Sequence, residues 1–220
     1  MSQTLSKTDR SRVRRGHRNA RYDRQAAYAI LDAQPHCAVG YVVDGRPYVT
    51  PTLQWRSGDR VLWHGSSASK ALRAGKGAEV CLTVSILDGL VMARSGFNHS
   101  VNSRSVTLFG TAEPVPEEEK ARELARFIER ICPGRKADLR PDTPAELKAT
   151  TILAMPIDEG GIKIRTGPPI DEPEDYALPV WAGVIPLKTV AGAPEPDPRN
   201  LPGVEMPPHV REFRWPDGGP

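Results

Sequence analysis

Apolar and polar residues alternate along this chain with two different periods, and the switches between them mark its elements. Residues 23–33 hold Ala26, Ala27, Ile30 and Leu31 at helical spacing behind Asp23, a residue type that caps helix starts, so an amphipathic helix is predicted there. The runs HCAVGYVV and PYVTPTLQW then flank Asp44-Gly45-Arg46, and a second turn at Ser57-Gly58-Asp59 leads into RVLWHG. β-rich runs joined by short glycine turns predict an antiparallel meander of three strands. SSASKALRAGKG reads as a short helix with Ser66 or Ser67 at its start and Gly75 or Gly77 at its stop. AEVCLTVSIL predicts a fourth strand, GLVMAR a fifth after a turn at Asp88-Gly89, and SRSVTLFGTAEPV a sixth.

A strong helix from Pro116 through Ile131 follows, opened by Pro-Glu-Glu-Glu, which sets φ and places negative charge at the positive end of the dipole. A second short helix is predicted from Thr143, and TILAMPI with GIKIRT forms a final strand pair. Beyond Gly167 the chain turns to Pro-rich loops that should wrap the body or stay partly disordered, with the apolar island Trp181–Leu187 inside them. Short turns between strands and a single inserted helix fit a mainly β fold with flanking helices, a closed or split antiparallel barrel of six strands, better than a doubly wound sheet. The organisation expected is a basic arm over 1–22, a barrel domain over 23–166 and a Pro-rich tail over 167–220.

Composition narrows the class. At 220 residues and 39% apolar content the chain can bury one full core. No run approaches the roughly eighteen apolar residues of a membrane span, and no secretory signal follows the basic N-terminus. Three scattered cysteines, Cys37, Cys81 and Cys132, suit reduced thiols in a cytoplasmic setting, and no metal-ligand spacing is present, so no metal is expected. Net charge is only +3, yet the first 24 residues hold seven arginines and one lysine. That arm could touch nucleic acid, but no aromatic interleaving or known module accompanies it, and a solvated or loosely docked extension is the simpler reading.

The segment His64–Lys70, HGSSASK, carries the clearest chemistry. A strand ends there, the chain turns with little side-chain bulk, and hydroxyls and free backbone N–H groups gather at a helix start with a lysine one turn in. That combination makes an anion site, or else a plain capped helix with a solvated lysine. NHSVNSRS, from Asn98 to Ser105, is dense in donors between two apolar strands and reads as pocket lining. His99 in it either contacts substrate, orients a cofactor, or is a hydrogen-bonded loop histidine. No GxGxxG, GxSxG, HExxH, Walker loop or paired-carboxylate signal occurs.

DGRPYVTPTLQW, VLWHGSSASKAL, EVCLTVSILDGLVMARS, NHSVNSRSVTLFGTAEPV and IKIRTGPP together resemble the pyridoxamine 5′-phosphate oxidase-like, FMN-binding split-barrel superfamily, on its nitroimidazole reductase-related branch. The resemblance implies that Ser66, Ser67, Ser69 and Lys70 bind the flavin phosphate. It sets Thr50, Pro51, Thr52 and Leu53 beside the isoalloxazine ring, with His64 near it, and lets Arg104 and Ser105 reach the flavin from a partner subunit. The plain alternative for Arg104 is a pair with a carboxylate such as Glu113. Lys163 and Arg165 alternate on one strand face and would close over the phosphate or a substrate anion, or else face solvent. Trp181 would stack over a pocket or anchor the tail.

The function so implied is an FMN-dependent oxidoreductase passing reducing equivalents from NADH or NADPH to a small nitroaromatic or quinone-like acceptor, with His64 and His99 as candidate catalytic residues. Rivals are a non-catalytic flavin carrier or sensor, and the same barrel holding heme or a deazaflavin. A barrel this small has no interior to spare for FMN, so the cofactor is expected in a crevice completed by a second copy, in a homodimer.

Overall fold

The computed structural model describes residues 2–216. An arm leads into β1 (Ala20–Arg21) and α1 (Arg24–Ala33), whose start is capped by Asp23, its carboxylate accepting from the Ala26 N–H at 2.8 Å. Next come β2 (His36–Val43) and β3 (Arg46–Ser57), joined by Asp44 and Gly45 at φ 50° and 72°. Two successive left-handed residues make the tight turn whose twist matches an antiparallel pair, and Gly45 takes that conformation without steric cost. β4 (Arg60–Ser66), α2 (Lys70–Gly75), β5 (Ala78–Met92) and β6 (Ser100–Pro114) follow. The chain continues through α3 (Glu117–Ile131), α4 (Pro144–Ala149), β7 (Thr150–Pro156) and β8 (Glu159–Arg165) to β9 (Gly183–Pro186) and α5 (Pro208–Arg211).

Among the described residues nine strands form one sheet in the order β1-β8-β6-β7-β4-β3-β2-β5-β9, and an additional β5–β6 pairing closes six of them, β2-β3-β4-β7-β6-β5, into a ring. Inward residues alternate along each strand, as the period of two requires: Val39 and Tyr41, Val61 and Trp63, Val80, Leu82 and Val84, Val106 and Leu108 share one core with Met155 and Ile162. α1 adds Ala27, Ile30 and Leu31 to it. A second cluster, Trp55, Leu62, Ile152 and Phe127, lies on the outer side of β3, β4 and β7 beneath α3. Asp23→Ala removes the α1 cap and is expected to cost about 1 kcal/mol, lowering Tm by about 2–4 °C in a thermal melt.

Two sequence expectations are corrected. AEVCLTVSIL and GLVMAR are one continuous strand, β5, because Asp88 and Gly89 make a bulge instead of a turn: Leu87 pairs with Ser103 and Gly89 with Asn102, leaving Asp88 extra. The displaced Asp88 carboxylate is held by a two-pronged contact with Arg104, at 2.8 Å from Nε and 2.7 Å from Nη2. The sixth member of the ring is therefore β7, which runs along β4 from Arg60↔Pro156 to Ser66↔Thr150. β7 and β8 flank β6 instead of pairing with each other.

The arm, expected to be solvated or loosely docked, is folded along the barrel. Leu5 is 3% exposed within the main core, Arg10 pairs with Glu79 and Glu159, and Arg24 of α1 donates from Nε to the arm's Ser2 carbonyl at 3.1 Å. In the tail, β9 adds to β5 through Leu90↔Ile185 and its neighbours, and α5 follows a largely exposed Pro-rich stretch; residues 217–220 lie outside the described part. No helix of the described residues is long and apolar enough to cross a membrane.

Cys37 is buried on β2, and that burial pushes its thiol pKa up to about 12. Thiolate is the reactive form, so at pH 8 native protein is expected to leave Cys37 unlabelled by a thiol reagent, with labelling appearing only on denaturation.

Candidate functional site

β4 contacts β3 only between Gln54↔Trp63 and Ser57↔Arg60. The β4-facing edge of β3 from Arg46 to Leu53 therefore has no strand partner among the described residues, while its other edge is laddered to β2 from Val43 to His36. This gap is the split in the barrel, and it leaves backbone donors and acceptors of residues 50–53 without a ladder on one side.

The Ser-Lys bend stands beside that gap. The Ser67 N–H donates to the Ala149 carbonyl at 2.8 Å and the Ser69 N–H to the Ser66 carbonyl at 2.8 Å, fixing the turn from β4 into α2. Ser69 occupies the cap position, but its hydroxyl makes no capping bond. Ser66 and Ser67 are exposed, and Lys70 carries its ammonium 4.6 Å from the Tyr48 ring centre and 3.4 Å from the Tyr48 hydroxyl. Tyr48 stacks on Tyr41 at 5.8 Å, and the Tyr41 and Thr50 hydroxyls share a 3.0 Å hydrogen bond. Thr50, Thr52 and Trp63 face a cavity of only about 30 Å³ inside the barrel. That holds a water or two, so a flavin fits only outside, along the open edge.

The other expected residues divide by face. Ser105 pairs with Ser85 and Lys163, and alternation puts these three on the outer face of the sheet with Pro51 and Thr83. Arg104, one residue earlier, turns inward between Ile86 and Ile164. Its carboxylate partner is Asp88. Arg104 lines a cleft of about 450 Å³ with Asp88, Asn102 and, from the tail, Lys188 and Trp215. That volume lies in the range of small-molecule sites. Arg165 donates to Asn102 and to the Pro168 carbonyl at the strand end, and Lys163 is exposed. A larger hollow of about 620 Å³ lies where the arm crosses Arg24, Asp59 and Asp158, and no expected site residue lines it.

His64 follows Trp63 and so points the other way, under α3, its ring edge-on to Phe127 at 4.5 Å and to Trp55 at 5.8 Å. Its Nδ1 is buried without a partner, and burial holds its pKa below the usual histidine range. The imidazole is thus neutral near pH 7 and separated by its strand from the face that Thr50, Thr52 and Trp63 share. His99 sits at the head of β6 with Nδ1 2.8 Å from the Ser95 carbonyl, and Trp181 is 69% exposed with its indole lying against Gly183 of β9.

Sequence reasoning missed Tyr48 and Asp88 and the tail residues Lys188 and Trp215, while the Asn98–Ser105 segment expected to line a pocket supplies Asn102 and Arg104 to the cleft. Tyr48 was legible in principle, since it alternates with Thr50 and Thr52; Trp215 carried no local signal.

A family model described as pyridoxamine 5′-phosphate oxidase matches residues 23–164. Among solved structures, the flavocytochrome Anf3 from Azotobacter vinelandii is 50% identical, with a TM-score of 0.91 over 94% of this chain and 98% of that one. The FAD and heme binding protein from Mycobacterium smegmatis is 40% identical, with a TM-score of 0.86 over 90% of this chain and 98% of that one. A Bacteroides thetaiotaomicron protein assigned to 5-nitroimidazole antibiotic resistance, 21% identical with a TM-score of 0.52 over 65% of this chain and 86% of that one, shares the fold. No curated protein sequence matches.

Proposed function

The chain belongs to the pyridoxamine 5′-phosphate oxidase family of flavin-binding split barrels, and from that premise we propose that it is a flavocytochrome, a cytoplasmic redox protein that binds a flavin and a heme. The observation that carries the flavin half is the open edge of β3 beside the Ser66–Lys70 bend. The heme half is supported by the names of relatives that match both barrel and tail. The sequence alone led to FMN; the FAD-binding relative favours FAD, and the phosphate next to the ribityl chain is common to both, so the same residues serve either.

In this reading Lys70 neutralises the phosphate while the Ser66, Ser67 and Ser69 hydroxyls donate to it. The backbone of Thr50, Pro51, Thr52 and Leu53 meets the ring edge along the unpartnered side of β3. Ser105 and Lys163, on the outer face, reach the flavin of a second copy in a homodimer. Arg104, Lys188 and Trp215 make the 450 Å³ cleft the place where a small acceptor or the distal part of the cofactor enters. Once bound, the flavin supplies hydride and single-electron chemistry and the heme single-electron chemistry.

The test is anaerobic stopped-flow with NADH and NADPH, followed by air or a quinone. Bleaching of the flavin band, followed by a change in the heme band and reoxidation by the acceptor, is the expected course. A flavin that stays oxidised with either donor favours the carrier or sensor reading and removes the nicotinamide-linked enzyme.

A further inference from the structure

Two stretches far apart in the tail come back to one place. Leu187, Lys188 and Thr189 line the 450 Å³ cleft at Arg104, and so do Trp215 and Pro216. Between them the chain leaves the barrel, and residues 190–205 are exposed throughout. The Leu187 N–H still donates to the Asp88 carbonyl at 3.0 Å. Beyond it, among the described residues, the strap up to Met206 bonds only to the tail itself: Asn200 N–H to the Asp197 carbonyl, Val204 N–H to that of Leu201, and Arg199 to the Asp197 carboxylate.

The end of the tail has its own seat. α5 has only four residues, and a helix that short does not hold itself in water. Its bonds, such as Glu212 N–H to the Pro208 carbonyl at 2.8 Å, therefore last only while it is docked. The dock is the turn after α3. There the Glu129 carboxylate accepts from the Gly134 and Lys136 N–H groups at 2.8 and 3.0 Å. A Cβ on Gly134 would stand 3.4 Å from the His209 side chain, so the imidazole sits close on this turn. His209 Nε2 lies 3.1 Å from the Asp138 carboxylate, which Arg135 shares at 3.3 Å, yet among the described residues that nitrogen makes no hydrogen bond. From this loose contact the chain runs on to Trp215 and the cleft, which Ala33 and Gln34 at the end of α1 also line. A segment with few contacts and a long exposed lead opens at low cost, and this one brings a bulky aromatic side chain to the cleft wall.

We propose that residues 207–216 are a lid on the Arg104 cleft, hinged in the 190–206 strap, latched by His209 at Asp138 and closed by Trp215. This rests on the reading above that a small acceptor enters the cleft, and it names what controls entry. Closed, Trp215 bars an acceptor as wide as a naphthoquinone, whereas dioxygen passes in either state. Open, the cleft keeps Arg104 and Lys188 and loses one wall.

The test uses the full chain. Backbone hydrogen exchange reads the lid without any cofactor, and stopped-flow reoxidation of the reduced flavoprotein by menadione or dioxygen reads the gate. The wild-type protein is expected to exchange 190–206 at once and to protect 210–213 for longer, though less than the barrel strands. His209→Ala should lose the protection at 210–213 and keep that of the strands. The minor state of a two-state element holds roughly 0.1–10% of the population, so unlatching should raise the menadione rate constant by at least about 10-fold. Its dioxygen rate stays at the wild-type value. Trp215→Ala, which removes the wall and leaves the latch, should also speed menadione while keeping 210–213 protected. Unchanged protection at 210–213 in His209→Ala overturns the proposal, as does an unchanged menadione rate in both variants. Wild-type protection at 210–213 equal to that of the strands overturns it too, since it marks a fixed wall. A chain that takes up no flavin removes the parent reading instead, and the exchange results then decide the lid alone.

Discussion

Lys70→Ala weakens flavin binding by about 1.5–3 kcal/mol, roughly 10- to 150-fold in Kd, the scale for a hydrogen bond to a charged group. The residue is exposed, so its loss leaves no buried group unpaired and should change stability by no more than about 0.5 kcal/mol. Its ammonium is already oriented in the free protein, 4.6 Å from the Tyr48 ring centre. A cation held over an aromatic face forfeits little further freedom when it meets an anion. Lys70→Arg should recover part of the affinity, since charge is kept while the compact point donor is replaced by a planar fork. Fluorescence quenching on titration with FMN and FAD reads the effect, and a Lys70→Ala protein with unchanged Kd for both contradicts the phosphate assignment.

The largest stability effect is expected at Gly160. It pairs with Leu108 where β8 crosses β6, and a Cβ placed there would lie 2.5 Å from the Thr107 carbonyl oxygen and 2.9 Å from Leu108 Cδ2. The first obstacle is backbone in a laddered strand, which cannot swing aside as a side chain can. Overpacking costs about 1–3 kcal/mol, and a clash with main chain belongs at the upper end, so Gly160→Ala should lower Tm by about 6–12 °C. Gly161→Ala makes the informative contrast. Its Cβ would meet the Ser11 carbonyl at 2.7 Å, so it should push the arm off the barrel and leave the ring standing. Protease cutting before Ala20, with the ring still folded and a smaller loss of Tm than in Gly160→Ala, would mark that outcome. A Gly160→Ala protein that melts within 1 °C of wild type would contradict the close approach of these two strands.

Local chemistry made much of this legible. The Asp-Gly turn, the period-two runs and the Pro-Glu-Glu-Glu helix start each encode their element within a few residues, and each stands close to its expected place. What failed depended on distant partners. Asp88-Gly89 has the composition of a turn, and distant groups hold it as a bulge: Arg104, sixteen residues on, and the Leu187 N–H of the tail. Arg10 of the arm looks solvated until Glu79 and Glu159 are brought to it. Arg104 and Ser105 are neighbours in sequence and so were given one role, but adjacent strand residues face opposite ways, and they belong to different surfaces. The Ser-Lys bend was readable because its chemistry is contiguous. The open edge of β3 was not, because an unpaired edge is a property of where β4 stops.

The measurement closest to the centre of this account is the visible spectrum of the purified full-length chain, with the masses of whatever chromophores acid or solvent releases. The account predicts flavin bands together with a Soret band, and released FAD and heme. A colourless protein that takes up neither FMN, FAD nor hemin would contradict it.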